Sequence, residues 1–356
     1  MIAKKHDHRV LGMMSGTSLD GLDLVVCHFE RKRKGWKYET IVSKTISYPV
    51  GIQAELKSVF NQDANTLAAL HASLGRFMGQ EAKRFLSDTK SQVDFISSHG
   101  HTIFHAPDKG YTLQIGNGAE IAVATDKIVV CDFRSTDVAR GGQGAPLVPV
   151  GDKLLFSEFD ACLNLGGFAN VSYDRSDGVR IAFDICPVNI VLNKLANSLG
   201  HPYDSNGDLA QTGQLLPDLL EKLNNLDYYK ATFPKSLGLE WVHTNILPLL
   251  IGTHTAKDLL RTFTMHAAQQ IAQTLNEGPG KTVLVTGGGA YNGFLLDQVK
   301  LLCHKELVIP TNTLIEMKEA VIFAFLGLLR LEGKVNTLAS VTGAWNNSVS
   351  GAVYLP

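Results

Sequence analysis

Two stretches of this chain share one layout, and that repetition limits the available folds more than any other feature. Val10-Leu-Gly-Met-Met14 enters the polar turn Ser15-Gly-Thr-Ser-Leu-Asp-Gly21, and an apolar, β-favouring pattern resumes at Leu22-Asp-Leu-Val-Val-Cys-His-Phe29. Strand, glycine turn and strand in that order read as a β-hairpin. Ala161-Cys-Leu-Asn-Leu165, Gly166-Gly167 and Asn170-Val-Ser-Tyr173 repeat it. One copy lies near the start of each half of the chain, which points to two related domains rather than a short-period solenoid. The length of 356 residues agrees, since a single core stops growing at about 250–300 residues.

Helical periodicity fills the intervals. Residues 66–87 carry Leu67, Leu70, Leu74, Phe77, Met78 and Phe85 at three- and four-residue spacing, and residues 258–275 carry Leu259, Leu260, Phe263, Ala267, Ile271 and Leu275. A third helix is expected over 187–199, with Pro187 at its first position. Further strands are expected at 93–96, 128–131, 181–183 and 281–285, and the apolar stretch 320–329 reads as a buried helix, too short to span a bilayer. Hairpins mixed with strand–helix units predict an α/β protein with mixed sheets. The Gly/Pro-rich segment 141–149 suggests a domain boundary, giving domains at 1–145 and 146–342, with a tail at 343–356 that packs back on the first.

Composition removes several function classes. Lys and Arg total 33 against 34 Asp and Glu, so no bulk field favours nucleic acid or an anionic membrane. Five Cys without a C-x-x-C pair argue against a disulfide framework or zinc knuckle. The polar start, residues 1–9, lacks the apolar core of a secretory signal. The expectation is a soluble protein of a reducing, cytoplasmic compartment.

The glycines cluster where backbone N–H groups can surround a phosphate, which requires that no side chain block the approach. Gly16-Thr17-Ser18-Leu19-Asp20-Gly21-Leu22-Asp23 combines two glycines, two hydroxyls and two carboxylates in one turn. Gly166 and Gly167 follow a strand, and Gly287-Gly288-Gly289 lie between a strand and the helix that starts near Asn292. No Walker A or Rossmann spacing occurs. Each loop alone also reads as an ordinary turn. Together they suggest two hairpins that grip a nucleotide's phosphates and a third loop that holds the nucleoside.

The string Gly12-Met-Met-Ser-Gly-Thr-Ser-Leu-Asp-Gly-Leu-Asp23 resembles the first phosphate loop of the anhydro-N-acetylmuramic acid kinases, members of the actin/hexokinase/Hsp70-like ATPase superfamily. The likeness continues through Ser98-His-Gly-His-Thr102, Thr112-Leu-Gln-Ile-Gly116, Asp132-Phe-Arg-Ser-Thr-Asp137 and Gly141-Gly-Gln-Gly-Ala-Pro-Leu147. It extends through Asn164-Leu-Gly-Gly-Phe-Ala-Asn170, Tyr203-Asp-Ser-Asn-Gly207, Thr286-Gly-Gly-Gly-Ala-Tyr-Asn292 and Lys318-Glu-Ala320. The resemblance implies two actin/hexokinase-like (ribonuclease H-like) domains with mixed sheets flanked by helices around a central cleft. It also implies an ATP- and Mg²⁺-dependent kinase that opens the 1,6-anhydro ring with water and phosphorylates O6, in peptidoglycan recycling, and a homodimer.

The family's general base matches Asp184 in Ala182-Phe-Asp-Ile-Cys-Pro-Val-Asn189; by position alone Asp184 also reads as a helix-capping residue. Arg134 and Glu319 match residues near the sugar, with His99 and Asn189 as further sugar contacts, and Asp20 is an outer-sphere Mg²⁺ partner through water. Ile185 and Cys186 stand where the family carries Thr and Gly, and Val188 where it carries a small residue, which predicts a reshaped sugar pocket. His99, His101 and His105 invite a metal reading, because i and i+2 share a strand face, but no acidic or Cys group completes the set, and polar contacts are the better expectation. The remaining alternatives are a kinase for another amino sugar on the same fold and a nucleotide-dependent binding module.

Overall fold

The computed structural model describes residues 6–16, 19–33, 35–252 and 254–356. Among them twelve strands form: β1 (Asp7–Ser15), β2 (Leu22–Lys32), β3 (Gly35–Ile46), β4 (Phe95–Ala106), β5 (Tyr111–Ile115), β6 (Val129–Cys131), β7 (Ala161–Leu165), β8 (Phe168–Asp174), β9 (Arg180–Pro187), β10 (Thr282–Thr286), β11 (Glu306–Val308) and β12 (Ala352–Tyr354). The helices that matter below are α1 (Ala64–Asp88), α2 (Asn189–Asn197), α3 (Ala256–Glu277), α4 (Gly293–Leu302) and α5 (Asn312–Leu331). The chain divides into one unit made of Met1–Phe156 and Met317–Pro356, and a second made of Ser157–Glu316.

In the first unit the strand order is β12-β6-β4-β1-β2-β3, with β5 paired to β4. β1, β2 and β3 form an antiparallel meander, while β4 runs parallel to β1 and β6 parallel to β4. The second unit has the order β11-β10-β7-β8-β9. There β7, β8 and β9 are the meander, β10 runs parallel to β7 and β11 parallel to β10. The hairpin repeat visible in the sequence is thus the opening of a five-strand repeat with identical connectivity and strand direction.

The apolar runs follow from burial on both faces of the first sheet. On one face, Leu11, Met13, Leu24 and Val26 join Leu70, Leu74, Met78 and Phe85 of α1 in a single core. Asp63 starts that helix by accepting from the Thr66 N–H at 2.8 Å. On the other face, Gly12 is needed for close approach: a Cβ there would lie 2.3 Å from the Ala320 carbonyl oxygen of α5. Phe29 and Phe325 meet at 5.4 Å between ring centroids. In the second unit, Leu163, Leu165 and Val171 pack with Val191 and Leu195 of α2, Phe263 and Ile271 of α3, and Leu295 of α4.

The expected boundary at 145 differs from these units, since 146–156 and 317–342 group with the first. Side-chain contacts give the reason. Asp152 and Lys318, both buried, form an ion pair at 2.8 Å, and a Cβ on Gly151 would meet Ile322 at 2.6 Å. The 141–149 segment is not a free linker, because the Asp137 carboxylate accepts the Gly144 N–H at 2.8 Å. The expected helix over 187–199 is shorter: Pro187 closes β9 opposite Phe168, and α2 begins at Asn189.

Candidate active site

In the second unit, strand pairing brings the two expected glycine loops of that unit together. The β7–β8 turn holds Gly166 and Gly167, whose carbonyls accept the N–H groups of Asn189 and Val188 at 3.3 and 2.8 Å. Because β10 lies parallel beside β7, its end delivers Gly287, Gly288 and Gly289 to the same place. Gly287 has φ +83°, and a Cβ there would fall 2.6 Å from the Asn164 Oδ1, so both conformation and space demand glycine. A Cβ on Gly289 would meet the Leu165 Cβ at 2.7 Å.

Beside these loops lies a cavity of about 420 Å³ whose walls include Asn189, Tyr203, Asp204, Asn206, Gly288, Gly289, Tyr291 and Asn292. Asn189, expected beside a sugar, stands here with the glycines, and its side-chain amide donates to the Leu165 carbonyl at 3.2 Å. Asn292 caps α4 by accepting the Leu295 N–H at 3.0 Å. Tyr203, Asp204, Asn206 and Tyr291 received no role from the sequence, although the strings around 203–207 and 286–292 were its signal.

Asp184 is not a helix cap. It sits within β9, and α2 is preceded by Val188 without a side-chain cap bond. Asp184 pairs with Asn170 and Cys186 with Ala169, so Ile185 is the extra residue of a β-bulge. Bulges re-aim neighbouring side chains and recur next to active sites. One carboxylate oxygen, Oδ2, accepts the Leu237 N–H at 2.8 Å, and the Tyr228 hydroxyl donates to the Asp184 carbonyl at 2.6 Å. Burial raises the Asp184 carboxyl above its ordinary range, against the pull of the Leu237 N–H. A carboxylate tuned upward, with one oxygen anchored, is suited to accept a proton.

Ile185, Cys186 and Val188, expected to reshape a pocket, are instead buried members of the second unit's core. Burial also drives the Cys186 thiol well above its ordinary range, which makes it inert as a nucleophile.

The first unit gathers the other expected residues. Arg134 donates through Nε and Nη2 to the His99 Nε2, and through Nη1 to the Gly144 carbonyl at 2.7 Å. Burial lowers its guanidinium to about 10, offset in part by Glu319. Surrounding protein raises the Glu319 carboxyl, while Arg134 and Lys318 oppose the rise and Asp23 adds to it. The Glu319 side chain nevertheless keeps open access to solvent. Asp23 accepts the Thr45 hydroxyl at 2.6 Å.

In the β1–β2 turn, the Leu19 N–H donates to the Gly16 carbonyl at 3.2 Å, and Asp20 is exposed. A Cβ on Gly21 would lie 2.6 Å from the Ile46 carbonyl oxygen. Leu22 begins β2 and is fully buried, so it serves the core. Thr17 and Ser18 lie outside the described residues.

The three histidines part company. His99 meets Arg134, His101 Nδ1 lies 2.8 Å from the Ser15 hydroxyl, and His105 Nδ1 lies 3.1 Å from the Thr112 hydroxyl. Gly100, at φ +76°, breaks the strand alternation between the first two. No group of three potential metal-ligating side chains occurs among the described residues.

Comparison with known proteins places the chain as a whole. A family model described as anhydro-N-acetylmuramic acid kinase matches residues 8–356. An anhydro-N-acetylmuramic acid kinase of Pseudomonas savastanoi pv. phaseolicola is 35% identical over 370 residues, covering 98% of this chain and 99% of its own. The protein of that name from Bacillus cereus is 32% identical with the same coverage. That from Pseudomonas putida is 35% identical, covering 97% of this chain and 98% of its own. Matched by the family model over residues 8–356 and by near-complete relatives at 32–35% identity, the chain belongs to the anhydro-N-acetylmuramic acid kinase family.

Proposed function

We infer that this chain is an ATP-dependent kinase that acts on 1,6-anhydro-N-acetylmuramic acid in cell-wall recycling. It adds water across the C1–O6 bridge and transfers the γ-phosphoryl group to O6, giving N-acetylmuramic acid 6-phosphate and ADP. Beyond family membership, the observation that carries this reading is Asp184, a half-buried, upward-tuned carboxylate with one oxygen tied to Leu237.

Asp184 takes a proton from water as the water oxygen bonds to C1 and the C1–O6 bond breaks. The electron pair left on O6 attacks the γ-phosphorus, and ADP departs. Phosphoryl transfer depends chiefly on positioning and charge stabilisation, which assigns the phosphates to the backbone N–H groups of the glycine loops. The cavity at Gly288, Gly289 and Asn292 takes the nucleoside, and Arg134, His99 and Glu319 contact the sugar.

Mg²⁺ commonly binds through one or two carboxylates plus substrate phosphates and retained waters. Exposed Asp20 in the first glycine turn and Asp23 at the start of β2 fit that pattern. When bound, the ion neutralises charge on the phosphate oxygens. A homodimer and a cytoplasmic location belong to the same reading and rest on family membership; no helix among the described residues is long and apolar enough to cross a membrane.

The test is turnover of ATP and anhydro-N-acetylmuramic acid in ¹⁸O-water. The product is expected to carry solvent oxygen at C1, and Asp184→Asn to abolish turnover while ATP still binds. ADP release indifferent to the anhydro sugar, or product without solvent oxygen, overturns the assignment.

A further inference from the structure

Asp184 lies on β9, the last strand of its sheet, where, among the described residues, one backbone edge has no strand beside it. Residues 228–237 meet that edge at the bulge. The Asp184 N–H donates to the Lys235 carbonyl at 3.4 Å, its carbonyl accepts the Tyr228 hydroxyl at 2.6 Å, and its Oδ2 accepts the Leu237 N–H at 2.8 Å. One residue is thus held at three points by a segment roughly fifty positions away in the chain.

Of the three holds, only the one from Tyr228 comes from a side chain. We propose that Tyr228 is a positioning residue for the reaction: its hydroxyl fixes the Asp184 carbonyl, and thereby the bulge that presents the carboxylate to Leu237. This rests on reading Asp184 as the general base.

The groups facing Asp184 suit such a role. Burial raises the Tyr228 phenol far above its ordinary range, so it remains a donor at any working pH. The Lys235 ammonium lies 4.8 Å from the centroid of the Tyr228 ring and donates to the Tyr228 carbonyl at 3.4 Å, which holds the ring in place. Cys186, the remaining titratable neighbour, stays a neutral thiol.

Tyr229 is a built-in control. It belongs to the same short helix, Asp227–Lys230, but its hydroxyl reaches the core residue His266, at 2.9 Å from Nε2, and not Asp184. Tyr228→Phe and Tyr229→Phe each remove one hydroxyl from adjacent positions, and only the first loses its hold on the bulge.

The experiment compares steady-state kinetics and pH–rate profiles of the two full-length variants. A misplacement of about 1 Å can cost on the order of 100-fold, so Tyr228→Phe is expected to lower kcat by ~10–100-fold with the KM for ATP within about twofold. Its acidic limb is expected to move to higher pH, by about half a unit, because the loosened Leu237 N–H no longer favours the ionised carboxylate. Tyr229→Phe is expected to lower Tm and leave that limb in place.

Tyr228→Phe with kcat within about twofold of the parent and an unmoved limb overturns the proposal. So does an equal limb shift in Tyr229→Phe. Asp184→Asn run alongside separates the two readings. If it stays active, the base assignment itself fails; if it is dead while Tyr228→Phe is fully active, only the role of Tyr228 falls.

Discussion

The Nε2 of His99 accepts from two nitrogens of Arg134 at once, Nε at 3.0 Å and Nη2 at 2.9 Å, while its Nδ1 donates to the Gly100 carbonyl at 3.0 Å. This arrangement requires a neutral imidazole with its proton on Nδ1. Burial first, and then the Arg134 charge, hold His99 well below the ordinary histidine range. The histidine therefore acts as an acceptor that aims a guanidinium, with Phe323 packed 4.4 Å from its ring centroid.

A guanidinium fork is what allows one side chain to serve both His99 and the Gly144 carbonyl, and an ammonium has no such geometry. Arg134→Lys is expected to raise the KM for the anhydro sugar about tenfold or more, the loss of one or two charged hydrogen bonds. The KM for ATP should stay within about twofold, because the expected sugar contacts and glycine loops are separate residues. Kinetics with each substrate varied in turn checks this.

Gly287 combines φ +83° with a Cβ position 2.6 Å from the Asn164 Oδ1. Gly287→Ala is expected to cost on the order of 1–3 kcal/mol of stability through strain in a region reserved for glycine. It should also weaken ATP binding more than sugar binding. Denaturant unfolding and nucleotide titration measure the two effects.

Ile185, Cys186 and Val188, expected from the sequence to depart from the family pattern, are all buried in core contacts. Ile185→Thr, which restores a hydroxyl here without a polar partner at hand, is expected to destabilise the chain by about 1–3 kcal/mol. The sugar KM should change less than about twofold. A large drop in that KM, with stability retained, would show that the side chain faces the substrate.

His266 is fully buried, with Nδ1 at 2.7 Å from the Asn224 Oδ1 and Nε2 at 2.9 Å from the Tyr229 hydroxyl, and burial lowers it to about 3. The folded value lies below the unfolded value of about 6.5, so the unfolded chain binds the proton first. The contribution of His266 to stability is therefore complete above about pH 6.5 and drains away as pH falls toward 3. The Tm advantage of the parent over His266→Gln should narrow between pH 7 and pH 4; a constant gap would contradict it.

Local patterns in the chain expose local structure. The β1–β2 and β7–β8 hairpins, α1, α3 and the buried part of α5 follow from alternation, glycine placement and three-to-four spacing, since each depends on neighbours in sequence. Asp184 shows where such patterns stop. Pro187 looks like a helix start, but an edge strand tolerates proline equally well, and the pairing of β9 with β8 decides the matter. The bulge at Ile185 leaves no local mark. The partners of Asp184, Tyr228 and Leu237, lie 44 and 53 residues away, and His99 is 35 residues from Arg134. Such pairings come from topology, which spacing cannot report. The unit division was obscured for the same reason: glycine-rich 141–149 resembles a linker until Asp137 and Thr342 are seen bonded to it.

The interrupted first unit has a consequence for synthesis on the ribosome. The second unit is a single unbroken segment, Ser157–Glu316, whereas the first needs Met317–Pro356 to supply the helix against Gly12 and the edge strand β12 beside β6. Domains fold as their residues emerge, N-terminal ones ordinarily first. Here the order inverts: the second unit can close while β1 still lacks the cover of α5, so β1, although it precedes that whole unit in the chain, is buried after it.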